Sequence, residues 1–264
     1  MQSSGVILLM NEFRPLVLKA DDEVIAEDLR IRIRGRSNMT LLPDLFQIDI
    51  YNMSDDDQAT VSTAKVISAT DENDSILCYG EIEDVYKHPE ESNVITTLVI
   101  ADGSAFAAMT ISKTIGSGSK VRDALYNLLG NGLCGSILAP DVRIPRGQTF
   151  SGKLPDAVSM LAKTVNSRAF YTHGAVFVVE KGRADDVLDL AEDDVIDEPS
   201  FAEGICIVKA KVKGYSVGTI LNFRGNRYRL ASQSIDADNQ KGNWRTELTL
   251  VDEESLSAYG MEGG

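Results

Sequence analysis

The chain has 264 residues and a mass of 28.7 kDa, with 43% hydrophobic and 25% charged residues. That is an ordinary globular composition, which excludes a disordered chain and is long enough for a substantial core or for two domains. Forty acidic residues against twenty-six basic ones give a net charge of −14 and a pI near 4.6, which argues against a protein that wraps nucleic acid by neutralising phosphates.

The first ten residues, MQSSGVILLM, hold an apolar run of only five, and nowhere do eighteen apolar residues follow one another, so neither a signal peptide nor a membrane span is expected. Residues 29–36, LRIRIRGR, alternate with a period of two. Leu29, Ile31 and Ile33 fall on one face and Arg30, Arg32, Arg34 and Arg36 on the other, the pattern of a half-buried strand. Residues 45–51 (LFQIDIY) read as a second strand ending in a polar turn at 52–55. Residues 75–85 and 93–100 read as two more, with 88–92 as the loop between them. Up to about Asp102 the chain therefore predicts a small antiparallel sheet or barrel.

After residues 101–103 the character changes. Residues 119–129 place Val121, Leu125, Leu128 and Leu129 at helical spacing behind Ser119 as N-cap, and glycines 130 and 132 stop the helix. A second helix is predicted over 154–167, with Pro155 in its first turn, followed by a hairpin around Gly174. Residues 103–182 thus form a small mixed α/β insert. The acidic stretch 182–203 reads as a linker or as a loop facing a basic partner, the linker being the simpler reading. Strands return over 204–213, where Lys209, Lys211 and Lys213 alternate with apolar residues, then over 219–223, 227–232 and 244–251, and residues 256–264 are expected as a flexible tail.

Chemistry-bearing motifs are sparse. Residues 130–135 match GxGxxG in letters, but a predicted helix enters them where a dinucleotide site needs a strand, so they read as a helix stop. Residues 116–120 (GSGSK) lack the spaced glycine of a phosphate loop. Ser117 and Lys120 have the SxxK spacing of serine acyl-transfer enzymes without the accompanying SDN or KTG segments. The two histidines, His88 and His173, fall in a predicted loop and a hairpin tip. No metal signature is present, and Cys78, Cys134 and Cys206 stand alone as expected reduced core residues. Neither a catalytic residue nor a cofactor is expected. The two basic strand faces remain, and they have two readings. Arg30, Arg32, Arg34, Lys209, Lys211 and Lys213 either pair with carboxylates on neighbouring strands or meet an acidic face of another subunit.

Several segments, in order, resemble the hub proteins at the distal end of bacteriophage tail tubes. They are FQIDIYNMSDDD (46–57), the strand pair CYGEIEDVYKH and VITTLVIADG, the helix at 120–129, GQTFSGKLPDAVSMLAKTVNSRAFYTHGAVFVV, and the closing FRGNRYRLASQSIDADNQKGNWRTELTL. His173 departs from the acidic or asparagine residue usual before that glycine. The resemblance implies a mainly β fold in which two β-barrel-like tail-tube domains, 1–102 and 183–255, flank the α/β insert at 103–182. It further implies a homotrimer whose pseudo-sixfold ring joins the tail tube or a distal tail protein to a central spike or tip protein. Tape-measure protein and then DNA would pass through the lumen, in a virion assembled in the host bacterial cytoplasm. On this reading the protein is structural. The readings from other classes are a hydrolase built on the insert, using His173 or Ser117 with Lys120, and a small-ligand or oligonucleotide-binding barrel; the single tryptophan, Trp244, disfavours the latter.

Overall fold

The computed structural model describes residues 14–240 and 242–253; the apolar run within the first ten residues and the tail expected at 256–264 lie outside them. Chain order begins with β1 (Leu16–Ala20), β2 (Glu23–Ile25), β3 (Ile31–Asn38) and β4 (Asp44–Tyr51), followed by α1 (Asp55–Thr63), β5 (Val66–Asp71), β6 (Ile76–Glu90) and β7 (Asn93–Asp102). The insert comprises α2 (Ser104–Ala108), β8 (Thr110–Ile115), α3 (Val121–Leu133), β9 (Cys134–Leu138), β10 (Gln148–Lys153), α4 (Leu154–Thr164), β11 (Ser167–Thr172) and β12 (Ala175–Glu180). The chain continues through β13 (Val187–Asp189), a 3-10 turn at Glu192–Asp194, β14 (Ser200–Ala202), β15 (Ile205–Lys211), β16 (Ile220–Phe223), β17 (Asn226–Asp238) and β18 (Trp244–Asp252). The fold is mainly β with a small helical insert.

Thirteen strands from both sides of the insert form one sheet, whose main path runs β14, β15, β18, β17, β3, β4, β7, β6, β5, β1, β2. The period of two in residues 29–36 is what puts β3 there. Ile31 and Ile33 are buried with Phe46, Ile48, Ile50, Leu98 and Ile100 of β4 and β7 in the N-terminal core, while the arginines face the other way. A second core, around Cys206, Val208, Leu230, Leu248 and Leu250, fills the C-terminal lobe. The insert has its own core, in which α3 and α4 cover β9, β11 and β12 with Leu125, Val158, Leu161 and Val178.

Among the described residues the two lobes share the sheet along one seam. The second half of β17 pairs antiparallel with β3, from Ser232 opposite Asn38 to Asp238 opposite Arg32. Beyond that ladder Asn239, 1% exposed, does the work of a further strand residue. Its backbone N–H donates to the Ile31 carbonyl at 3.1 Å, its side-chain oxygen accepts from the Ile31 N–H at 2.8 Å, and its side-chain amide donates to the Leu29 carbonyl at 3.0 Å. A small mixed cluster of Met39, Phe170, Val179, Val217, Ala231 and Val251 packs the insert against both lobes. Gly218 sits at this junction with φ of +86°, and a Cβ there would lie 2.2 Å from the Phe170 ring, so only glycine fits both the conformation and the space.

Several expected elements shift. The polar turn at 52–55 opens a helix, α1, capped by Ser54, whose hydroxyl accepts from the Asp57 N–H at 3.1 Å. The loop expected at 88–92 shrinks to two residues, because β6 runs on through His88 to Glu90. The helix expected from Ser119 begins at Val121 after Lys120, and its helical backbone is interrupted at Gly130, as the glycines predict. The helix expected over 154–167 ends at Thr164, since Ser167 already belongs to β11. The acidic stretch is not a free linker. β13 pairs with β16, β14 pairs with β15, and Val195 bridges to Ala210, so the segment lies on the C-terminal lobe as a strap.

Replacing Asn239 by Ala leaves the buried Ile31 N–H and the half-buried Leu29 carbonyl without those partners, and loss of about 2–3 kcal/mol of unfolding free energy is expected in urea melts. Gly218→Ala is expected to cost at least about 2 kcal/mol in the same assay.

Candidate functional site

The feature that gathers the expected site residues is the polar face of the large sheet. Register carries a row across five strands, from Lys211 on β15 to Arg245 on β18, Asp236 on β17, Arg34 on β3 and Gln47 on β4. The neighbouring row holds Lys209, Glu247, Ser234 and Arg36. Sheet twist makes the ion pairs diagonal rather than straight across. The Arg30 guanidinium meets Asp238 at 2.7 Å, with its plane 4.0 Å over the Tyr51 ring. Arg32 donates from Nε and Nη2 to Asp236 at 3.1 and 3.0 Å. Arg34 meets Asp49 at 2.7 Å, and Asp49 also accepts from Thr97 and Gln47 at 2.8 Å each. Hydrogen bonding to Asp238 holds the Arg30 pKa above its ordinary value.

The lysines divide in the same way. Lys209 pairs with Asp197 at 3.3 Å and Lys213 pairs with Asp194, both carboxylates belonging to the acidic strap. Arg224 clamps the same strap through Glu192 at 2.8 Å and Glu198 at 2.9 Å. Of the six residues singled out, Lys211 alone has no ion pair among the described residues, and it lies exposed opposite Arg245. The pairing partners on β17 were legible in outline. Residues 234–238, SIDAD, alternate acid with apolar residues in the phase that complements IRIR, yet the expected strand stopped at Ser232.

A shallow groove of about 220 Å³, lined by Lys209, Ser234, Asp236, Arg245, Thr246 and Glu247, crosses this face. It is smaller than ordinary small-molecule pockets of about 300–1,000 Å³, and its lining residues are charged or hydroxyl-bearing, without the aromatic and aliphatic side chains of such pockets. The residues of the hydrolase reading are not brought together as a catalytic pair. The Ser117 hydroxyl donates to the Pro145 carbonyl at 3.0 Å, whereas the Lys120 ammonium is bound to Asp141 at 2.5 Å. Gly130 lies within α3, where it breaks the helical backbone, and Gly135 within β9, with the Phe177 ring where a Cβ on Gly135 would stand. Cys78 and Cys206 are buried and free, and burial pushes the Cys78 thiol up to about 12.

His173 has a different role from a catalytic base. It and Gly174 make the β11–β12 turn, with φ of +49° and +80°, and burial pushes the imidazole pKa down to about 4. The turn is held by Asp102 at the end of β7, whose carboxylate accepts the His173 N–H at 2.6 Å and the Gly174 N–H at 3.1 Å. Asp102 is thus the clasp between the N-terminal lobe and the insert. Directly across the β4–β7 ladder stands Asp44, also buried, which accepts the N–H and side-chain amide of Asn38. Burial drives both acids up, Asp44 to about 6 and Asp102 to about 7, against the hydrogen bonds that favour their ionised forms. Arg36 counters the rise at Asp44, while Glu81 from β6 and Asp44 itself add to that at Asp102; Tyr79 and Tyr171 complete the surroundings.

No protein-family model matches the chain, and no curated protein matches it in sequence. Solved structures do match in fold. A 43 kDa tail protein of prophage MuSo2 from Shewanella oneidensis superposes with a TM-score of 0.66 at 10% identity, over 92% of this chain and 98% of that one. A tail protein from Neisseria meningitidis gives 0.58 at 11% identity, over 90% and 96%. A type VI secretion component of Escherichia coli, described as structurally similar to bacteriophage T4 tail proteins, gives 0.60 at 8% identity, over 89% and 76%. The chain therefore has the fold of phage tail proteins along nearly its whole described length.

An acid that holds its proton more tightly folded than unfolded contributes stability that is complete below about pH 4 and is lost as pH rises through the folded pKa values near 6 and 7. Asp102→Asn is expected to flatten the fall in melting temperature between pH 5 and pH 8 relative to the wild type, by the equivalent of about 2 kcal/mol. Parallel curves for the two proteins would show that Asp102 does not titrate in this window.

Proposed function

We propose that the chain is a structural hub protein of a phage tail, placed at the baseplate or tail tip, and that three copies close into a ring joining the tail tube to a central spike. The observation that carries this reading is the single sheet spanning both lobes in a tail-protein fold, whose main path ends, among the described residues, at β2 and β14. Open sheet edges invite another chain, and a closed ring is one arrangement that covers them. On this reading 1–102 and 183–255 act as the two tube domains of each copy, and 103–182 is carried on them. Three chains with two such lobes each present six similar units to a hexameric tube.

The charged sheet face fits a channel wall. Arg30, Arg32, Arg34 and Arg245 are already bound to aspartates of the same chain, so a passing tape-measure protein or DNA strand meets fixed, mostly compensated charge rather than free cations. Lys211, the one of the six singled-out cations without an ion pair among the described residues, is best placed to meet a neighbouring subunit. The proposed place of the protein is the virion tail, assembled in the host cytoplasm, and its work is architectural.

Light scattering coupled to size exclusion is expected to give a mass near three times 28.7 kDa, with threefold rings in electron micrographs. A strict monomer, both alone and after mixing with tail-tube and spike proteins of the same tail, overturns the reading. Intact rings that lose a hydrolytic activity on Ser117→Ala or His173→Ala would instead favour the enzyme.

A further inference from the structure

The net charge of −14 hides a division along the chain. Residues 1–102 carry eight basic and twenty acidic residues and residues 183–264 nine and sixteen, whereas the insert, 103–182, carries nine basic against four acidic. The insert is a cationic body on an anionic protein. Part of that charge is used locally, since Lys120 pairs with Asp141, Lys113 binds Asn127, and Arg122 and Arg143 donate to backbone carbonyls. Arg146, Lys153 and Lys163 are different. All three are exposed and have no ion pair among the described residues.

These cations frame one surface, the outer face of α4 and its neighbour β10, on which Asp156 is the one acid the helix carries, leaving the face net positive. Lys153 precedes α4 and Lys163 lies in its last turn, about 15 Å apart at helical rise. Arg146 leads into β10, whose Gln148 side-chain amide reaches the sulfur of Met160 at 2.9 Å, so Arg146 and Lys163 flank the exposed Met160. Among the described residues no other element covers this face, and β10 pairs with β8 alone.

The N-terminal lobe carries a surface of opposite charge and similar length. β2 is the last strand of the large sheet, with Val24 exposed on it, and α1 packs beside it with only Val61 buried. Asp55 and Asp56 stand exposed in the first turn of α1. Asp22 and Glu23 stand exposed at the other end, where Asp21 binds the N–H groups of Lys65 and Val66 just after the helix. Nine helical residues set the two acidic ends about 14 Å apart. None of these four carboxylates has an ion pair among the described residues.

We propose that the α4–β10 face of the insert docks on the α1–β2 edge of a second copy of this chain. Two different, mutually complementary faces on one chain make a head-to-tail contact, the kind that generates rings. The acidic edge repels another acidic edge and admits a cationic surface, so the same charges that prevent wrong pairing specify this one. The proposal rests on the ring reading and adds to it the faces that meet.

The test uses full-length chains and light scattering at about 20 mM and about 0.5 M salt, where exposed pairs are respectively felt and screened. One variant carries R146E, K153E and K163E; a second carries D22K, E23K, D55K and D56K; a third carries all seven. Circular dichroism confirms that each is folded. Each single-face variant is expected to self-associate at least about tenfold more weakly than wild type at low salt, and the seven-fold variant to recover wild-type mass. Single-face variants that associate like wild type, or a seven-fold variant that stays dissociated, overturn this contact while leaving the ring reading in place. A wild-type chain that is monomeric at low salt and forms rings only with tail partners also overturns the self-contact; one that forms none with them overturns both.

Discussion

Everything else in this molecule is arranged around the pairing of β3 with β17. Each lobe has its own core, but the two share a sheet only because residues 31–38 find residues 232–238 some two hundred positions later. Three interactions make that register unique. The apolar side alternates into both cores, Arg30 and Arg32 meet Asp238 and Asp236 on the polar side, and Asn239 closes the end with three hydrogen bonds. A slip by one residue would put Arg32 and Arg34 into the core and strand Asn239 without partners. Buried polar groups are poor glue and good gauges, and here they fix alignment more than they add stability.

The parts of the fold legible in the sequence are those with a strict period. LRIRIRGR, LFQIDIY and GICIVKAK each alternate, and each is a strand close to where the alternation places it. α3 and α4 show their apolar stripes in the same direct way. α1 does not, because its sequence DDDQATVST buries only Val61 and its helicity comes from the Ser54 cap and the first-turn aspartates. The acidic strap is invisible for a different reason. Its order depends on Lys209, Lys213 and Arg224, which lie beyond it in the chain, and composition alone reads such a stretch as solvated.

Of the candidate site, the cations were found from the sequence and their partners were not. A basic stripe announces itself in an acidic chain, whereas any one of forty carboxylates can be its partner. The clasp at Asp102 was out of reach for the same reason. An aspartate before a glycine at a strand end is commonplace, and only the fold shows that its carboxylate accepts two N–H groups from a turn seventy residues away. His173, the residue that looked chemical, is there for its backbone.

The long separation across the β3–β17 seam has a consequence for how the protein is made. At about 5–20 residues per second a ribosome needs roughly 10 to 40 seconds after β3 emerges before β17 follows, and for that interval β3 is an open edge on a growing chain. Arg30 and Arg32 then have no Asp238 or Asp236 to meet, and of the four arginines only Arg34 has its partner, Asp49 of β4, close behind it in the chain. During synthesis the stripe acts as a guard, keeping an unfinished strand from joining the wrong neighbour, and it becomes a seam only when the acidic strand that neutralises it has been translated.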